Sequence, residues 1–194
     1  MEIDTLPPTF TAGQARTAGV STRALYRWRD TGEVVELSRG VFRHADAPPP
    51  THPDLLAINL RAPNAVVCTL SAAAVHDLTD VAPFEVQIAV SSRTHPPRIT
   101  QPPTTVLRFD PATHQLGVTE IEAAPGEFVP VYDPARTVVD LLRLRHRFGH
   151  DVAYSALNRY LARPDARRAE VYRYARALRI ATITLTALDI AGAR

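Results

Sequence analysis

The feature that most constrains this chain is the order of helix caps and glycine turns in its first 43 residues. Thr11 is followed three residues later by Gln14, the spacing at which a threonine hydroxyl caps a helix and a glutamine amide returns to the cap's backbone. This predicts a helix over residues 12–18, stopped by Gly19. Ser21 is a second N-cap, and a second helix over residues 22–30 ends before Gly32. Leu25 and Trp28, with Ala24, have the spacing of one buried stripe. Two helices of about two turns, joined through Gly19-Val20-Ser21, make a helix-turn-helix. Residues 34–37 and 41–43 flank Ser38-Arg39-Gly40 and read as a β-hairpin directly after the second helix, which is a wing. Pro48-Pro49-Pro50 reads as an extended linker. The expected domains are therefore residues 1–47 and 51–194.

Beyond the linker the pattern changes. Pro53 starts a helix over residues 53–61 that carries Leu55, Leu56 and Leu60. Val66-Val67 is a short apolar run, and Ser71 reads as the cap of an alanine-rich helix over residues 72–77. Residues 84–90 alternate with period two, as a half-buried strand does. Residues 104–109 and 118–121 are weaker strands, and in residues 128–132 Pro130 points to a sheet edge. Asp133-Pro134, a cap followed by proline at the first helical position, opens a run of helices over residues 134–147, 150–162, 165–179 and 182–190. The fold class is α+β: an N-terminal winged helix-turn-helix and a mixed α/β C-terminal domain with a helical C-terminal half.

Composition then excludes chemistry. All 22 basic residues are arginine, because the chain has no lysine. A lysine Schiff base, a Walker A phosphate loop and a kinase-type lysine contact are thereby impossible. The single Cys68 removes disulfide frameworks and multi-cysteine zinc sites. The seven histidines show no metal-ligand spacing; His146 and His150 are four apart, but Gly149 interrupts the helix between them. Ser71 and His76 lack a nucleophile elbow, so no hydrolase is expected. Asp133 reads as a cap, Asp140 as an arginine partner and His76 as a satisfied core histidine. No enzyme, cofactor or metal site is expected. No stretch approaches the ~20 apolar residues of a membrane span. The acidic start Met1-Glu2-Ile3-Asp4 has no apolar signal core, which fits a cytoplasmic protein.

A net charge of +2 hides an uneven distribution. Residues 11–43 carry six arginines against three acids, residues 51–135 carry four against nine, and residues 136–194 carry twelve against five. In a helix-turn-helix the second helix enters the major groove. That assigns Ser21, Thr22, Arg23, Tyr26 and Arg27 to DNA, with forked guanidinium contacts to guanine or phosphate. Arg39, at the wing tip, is placed for a minor groove or the backbone. In the C-terminal half, Arg136, Arg143 and Arg147 have the spacing of one helical face, widened by Arg145 and His146. Arg167, Arg168, Arg173, Arg176 and Arg179 decorate a later helix with Tyr172 and Tyr174 among them. Both regions read as a second polyanion surface, for DNA, RNA or an acidic protein face, or else as solvated helix faces with local ion pairs.

Phe10-Thr11-Ala12-Gly13-Gln14-Ala15, Ala18-Gly19-Val20-Ser21, Leu25-Tyr26-Arg27 and Arg39-Gly40-Val41-Phe42-Arg43 resemble the N-terminal domain of AbiEi-type antitoxins. Later stretches resemble the same family, among them Leu70-Ser71-Ala72-Ala73-Ala74-Val75-His76-Asp77-Leu78 and Tyr132-Asp133-Pro134-Ala135-Arg136-Thr137-Val138-Val139-Asp140. The resemblance implies an antitoxin of a two-gene, type IV toxin–antitoxin system with a role in phage defence. Its winged helix would bind inverted repeats in its own promoter and repress it, with two copies on a two-fold operator. Its C-terminal domain would counter a nucleotidyltransferase-like toxin. The short segment before Phe10 departs from the family in leaving the usual first helix short or absent. Two other readings stay open: an antitoxin acting mainly by direct contact with the toxin, and a stand-alone winged-helix regulator.

Overall fold

The computed structural model describes residues 3–192. Two compact units emerge: Met1–Asn64 with Pro97–Pro103 and Glu122–Val129, and Ala65–Pro96 with Thr104–Ile121 and Pro130–Arg194. Beyond residues 1–47, the first unit thus takes in the helix after the proline run and two later segments.

In the first unit a single 3-10 turn (Ile3–Thr5) leads into strand β1 (Thr9–Thr11). Helix α1 (Ala12–Thr17) begins with the full capping box: the Gln14 N–H donates to Thr11 Oγ1 at 3.1 Å, and the Thr11 N–H donates to Gln14 Oε1 at 2.7 Å. Gly19 takes φ +88° in the turn to helix α2 (Thr22–Thr31), whose first turn is capped by Ser21 Oγ accepting from the Ala24 N–H. Gly32, at φ +83°, ends α2 in the left-handed conformation. Strands β2 (Val34–Ser38) and β3 (Val41–His44) form the hairpin, and β1 pairs antiparallel with β3 to give the order β1-β3-β2. β1 is absent from the sequence reading, which takes Phe10 only as the residue before a cap. Phe10, Ala15, Val20, Leu25, Trp28, Val34 and Phe42 make one core, closed by Leu6 from the N-terminal segment. Each large apolar side chain there contributes about 1.5–3 kcal/mol by leaving water. Helix α3 (Pro53–Arg61) completes the unit's helices.

The five-stranded sheet has the order β6-β5-β4-β8-β7. Its strands are β4 (Val66–Val67), β5 (Val86–Ser91), β6 (Thr104–Phe109), β7 (Val118–Ala124) and β8 (Glu127–Tyr132). β5 and β6 are parallel from Val86↔Thr104 to Ser91↔Phe109. The helices of the second unit are α4 (Thr69–Val75), α5 (Pro134–Arg143), α6 (Arg145–Phe148), α7 (His150–Leu161), α8 (Arg168–Ala177) and α9 (Ala181–Gly192). Their core gathers Val138, Leu141 and Leu142 of α5, Ala156 and Leu157 of α7 and Val171 and Ala175 of α8.

Several expected elements shift. Ser71 lies inside α4 and does not cap it; its Oγ accepts from the distant Gln87 N–H at 2.9 Å. The strand expected from residue 84 starts at Val86, and Phe84 is wholly exposed. β8 is an interior strand despite Pro130, because its neighbour β4 has two residues and pairs with it at Val67↔Val131. A sheet neighbour this short leaves most of that side of β8 without a ladder, so the missing N–H is tolerated. The helix expected over residues 134–147 breaks at Leu144.

Candidate nucleic-acid interface

The core of the first unit decides which face of α2 is free. Leu25 and Trp28 are buried, so Ser21, Thr22, Arg23, Tyr26 and Arg27 fall on the exposed side. Arg23 and Arg27 stand one turn apart, about 6 Å along the axis. Among the described residues neither guanidinium has an ion pair or hydrogen-bond partner, and the same is true of Arg39. Tyr26 is 40% exposed and stands edge-on to Phe42, with ring centroids 6.2 Å apart. The guanidinium of Arg29 lies 4.6 Å from the centre of the same ring.

The six arginines of this segment divide into three kinds. Arg29 is engaged, with Asp30 at 2.9 Å and Glu36 at 3.3 Å, and these two carboxylates hold its pKa above the ordinary value, Asp30 the more strongly. Arg43 is buried, contacts Thr9 and Glu127 and donates to the Pro48 carbonyl at 2.6 Å. Arg16, Arg23, Arg27 and Arg39 are exposed without a carboxylate partner among the described residues. Two of the three acids nearby are ion-paired. Asp30 and Glu36 hold Arg29, and Glu33 accepts from Thr31 Oγ1 at 2.7 Å. The free charge on this face is therefore positive.

Glu36 also positions the hairpin turn. Its Oε1 accepts the Gly40 N–H at 2.9 Å while its Oε2 takes Arg29, which ties the turn to α2. The Gly40 carbonyl accepts the Ala12 N–H at 2.9 Å, so the turn is bonded to the start of α1 as well. Gly40 itself sits at φ +75°. Arg39 thus projects from a turn anchored on two sides. Sequence reasoning missed Glu36. Its spacing to Gly40 and Arg29 is visible in the chain, but only the folded hairpin brings them together.

The second basic group does not form one surface. Arg136 is fully buried: Nε donates to Asp140 at 2.9 Å, and Nη1 donates to the carbonyls of Thr113 at 2.9 Å and Leu116 at 2.5 Å. Its guanidinium lies 4.2 Å from the centre of the Tyr132 ring. Arg143 shares Asp140 at 2.8 Å and covers Phe109. Arg145 donates to the Leu142 carbonyl at 3.0 Å. Arg147 alone of these four is exposed, beside the Phe148 ring. Arg136 therefore leaves the surface expected for it. Residues 135–142 of α5 are all buried, so seven-residue spacing on this helix marks an interior face. Asp133 caps α5 by accepting the Arg136 N–H at 2.7 Å and also accepts from the Tyr174 hydroxyl at 2.6 Å.

Among the described residues no group of three or more His, Cys, Asp or Glu is arranged to hold a metal, and no helix is long and apolar enough to cross a membrane. Cys68 is buried, and burial pushes its thiol pKa up, away from nucleophile chemistry.

Taken by architecture, the chain is an α+β protein whose N-terminal unit presents an arginine-bearing helix followed by an anchored hairpin. Residues 2–44 match the family model described as "Transcriptional regulator, AbiEi antitoxin", so the resemblance carried by the motifs holds over that segment. The match supports a transcription-regulator and antitoxin role. In fold, the chain is similar to the RV2827C protein from Mycobacterium tuberculosis, whose crystal structure aligns with a TM-score of 0.62 at 17% identity over 93% of this chain and 72% of that one. Among curated proteins none matches this chain in sequence.

Proposed function

We propose that this chain is the antitoxin and autorepressor of a two-gene toxin–antitoxin system. Residues 3–47 act as a winged helix-turn-helix on inverted repeats in the operon's promoter. In this reading α2 lies in the major groove, Arg23 and Arg27 fork onto guanine edges or phosphate, and Tyr26 packs along the backbone. Ser21 and Thr22 bring the amides of the helix N-terminus to a phosphate. Arg39 reaches the adjacent minor groove or backbone from the wing. Residues 51–194 counter a nucleotidyltransferase-like toxin, and the protein works in the cytoplasm.

The observation that carries the reading is the division of arginines in the first unit. Among the described residues, those on the outer face of α2 and at the hairpin tip have no carboxylate partner, while Asp30 and Glu36 are held by Arg29 and Glu33 accepts only a neutral hydroxyl. The match of residues 2–44 to a transcriptional-regulator family falls on the same elements. The test is a gel shift on the region upstream of the gene. Arg23→Ala with Arg27→Ala should abolish the specific complex at protein concentrations that saturate the parent, and an unchanged shift would reject the assignment.

A further inference from the structure

Helix α8 presents a second, different surface. Val171, Tyr174 and Ala175 are buried in the core of the second unit, which turns the opposite face outward. Beside the buried face, the exposed Arg168, Tyr172 and Arg176 follow one another at four-residue intervals, so they form a single stripe about 12 Å long that winds outward along the helix. Arg179 stands one turn further on, just past the helix end. All three arginines are exposed, and none has an ion-pair or hydrogen-bond partner among the described residues. The helix's one acid, Glu170, is taken by Arg173, whose Nε donates to it at 3.1 Å. Tyr172 is 37% exposed and has no ring or cation partner among the described residues. Arg179 is held at φ +60°, where glycine is the favoured residue.

We propose that the outer face of α8 binds a single nucleic-acid strand. Arg168, Arg176 and Arg179 contact successive phosphates, and Tyr172 stacks on an unpaired base between them. Guanidiniums without a carboxylate partner among the described residues, on a helix whose one acid is already ion-paired, select a polyanion. The exposed ring among them selects one whose base faces are open, which a duplex does not offer. The surface is separate from α2 in sequence and in chemistry, so it stands or falls independently of operator binding.

The test uses the full chain carrying Arg23→Ala and Arg27→Ala, which removes the two guanidinium contacts proposed for α2. Fluorescence anisotropy follows labelled oligo(U), oligo(dT) and a duplex of unrelated sequence, each about 20 nucleotides long. Binding of either single strand is expected. Arg168→Ala with Arg176→Ala and Arg179→Ala should weaken it at least tenfold and lower the slope of log affinity against log salt by about 2. Tyr172→Ala should weaken it about fivefold or more, while Tyr172→Phe keeps it. A preference for oligo(U) would identify RNA as the source of the strand, and a preference for oligo(dT) would identify DNA. The proposal is overturned if neither strand binds, if the triple variant binds as the parent does, if Tyr172→Ala is silent, or if duplex binding depends equally on these residues. All four substituted positions are exposed, and unchanged thermal melts will show that the variants remain folded.

Discussion

Replacing Asp140 by alanine probes the most unusual feature of the second unit. The carboxylate is fully buried and accepts from Arg136 Nε at 2.9 Å and from Arg143 Nη2 at 2.8 Å. Burial pushes its pKa up, against the pull of Arg136 and then Arg143. Without Asp140, Arg143 can turn to solvent, since 27% of its side chain is already exposed. Arg136 cannot, because none of its side chain is exposed. It would keep its two backbone carbonyls and the Tyr132 ring but lose its counter-charge. An uncompensated buried charge costs about 3–5 kcal/mol, a large share of the ~5–15 kcal/mol that holds a domain together. At about 2–8 °C per kcal/mol, the thermal midpoint should fall by more than ~6 °C. Arg136→Met should cost a similar amount, since it strands Asp140 against Arg143 alone and leaves the Thr113 and Leu116 carbonyls without this donor. The double variant removes both charges and should cost about 2 kcal/mol or more less than the sum of the singles. Urea unfolding followed by far-ultraviolet circular dichroism measures all three. If Asp140→Ala costs under about 1 kcal/mol, or if the two substitutions add within ~0.5 kcal/mol, the pair is not the coupled buried unit described above.

Gly117 sits at φ +78°, and a Cβ there would lie 2.8 Å from Arg136 Cβ. Gly117→Ala should therefore destabilise by clearly more than Gly126→Ala, whose φ of +75° is similar but whose Cβ would meet open space; equal losses in urea melts would contradict this. Glu36→Ala should lower operator affinity several-fold by freeing the hairpin turn, while changing stability by no more than about 1 kcal/mol, because its ion pair with Arg29 is partly exposed. Wild-type affinity in gel shifts would show that Glu36 does not position Arg39. His76 Nε2 lies 2.8 Å from the Tyr132 carbonyl, and burial lowers its pKa despite that hydrogen bond. A depressed folded-state pKa means that its stabilisation is fully present above about pH 6.5 and is lost as the pH falls below it. Thermal midpoints measured between pH 7.5 and 5.5 should drop less in His76→Gln than in the parent, and parallel curves would reject that role.

What the sequence discloses is what short-range chemistry determines. The Thr11–Gln14 box, the Ser21 cap, the glycine ends at Gly19 and Gly32 and the Asp133 cap each involve residues within a few positions, so spacing alone reveals them. Partners far along the chain are hidden from such a reading. Ser71 has the chemistry of a cap, yet its hydroxyl is taken by the Gln87 N–H. Arg136, Arg143 and Arg147 do share helical spacing, but periodicity does not say whether a face meets water or a sheet. With Phe109 and Tyr132 against them, Arg136 is interior and Arg143 half-buried, while Arg147, past the break at Leu144, is exposed. In the first unit, the stripe of Leu25 and Trp28 did fix the exposed face of α2. Which arginines on that unit are free could not be read beforehand, since Arg29 and Arg43 look no different from Arg23 and Arg27 until Glu36 and Glu127 are in place.

The most direct measurement of the central claim is the affinity of the purified chain for its upstream region, set against an unrelated duplex at fixed salt. Arg23→Ala with Arg27→Ala should cost about 1–3 kcal/mol per side chain and bring specific affinity down toward the nonspecific level. Retention of the parent's affinity and of its preference for the upstream duplex would contradict the account.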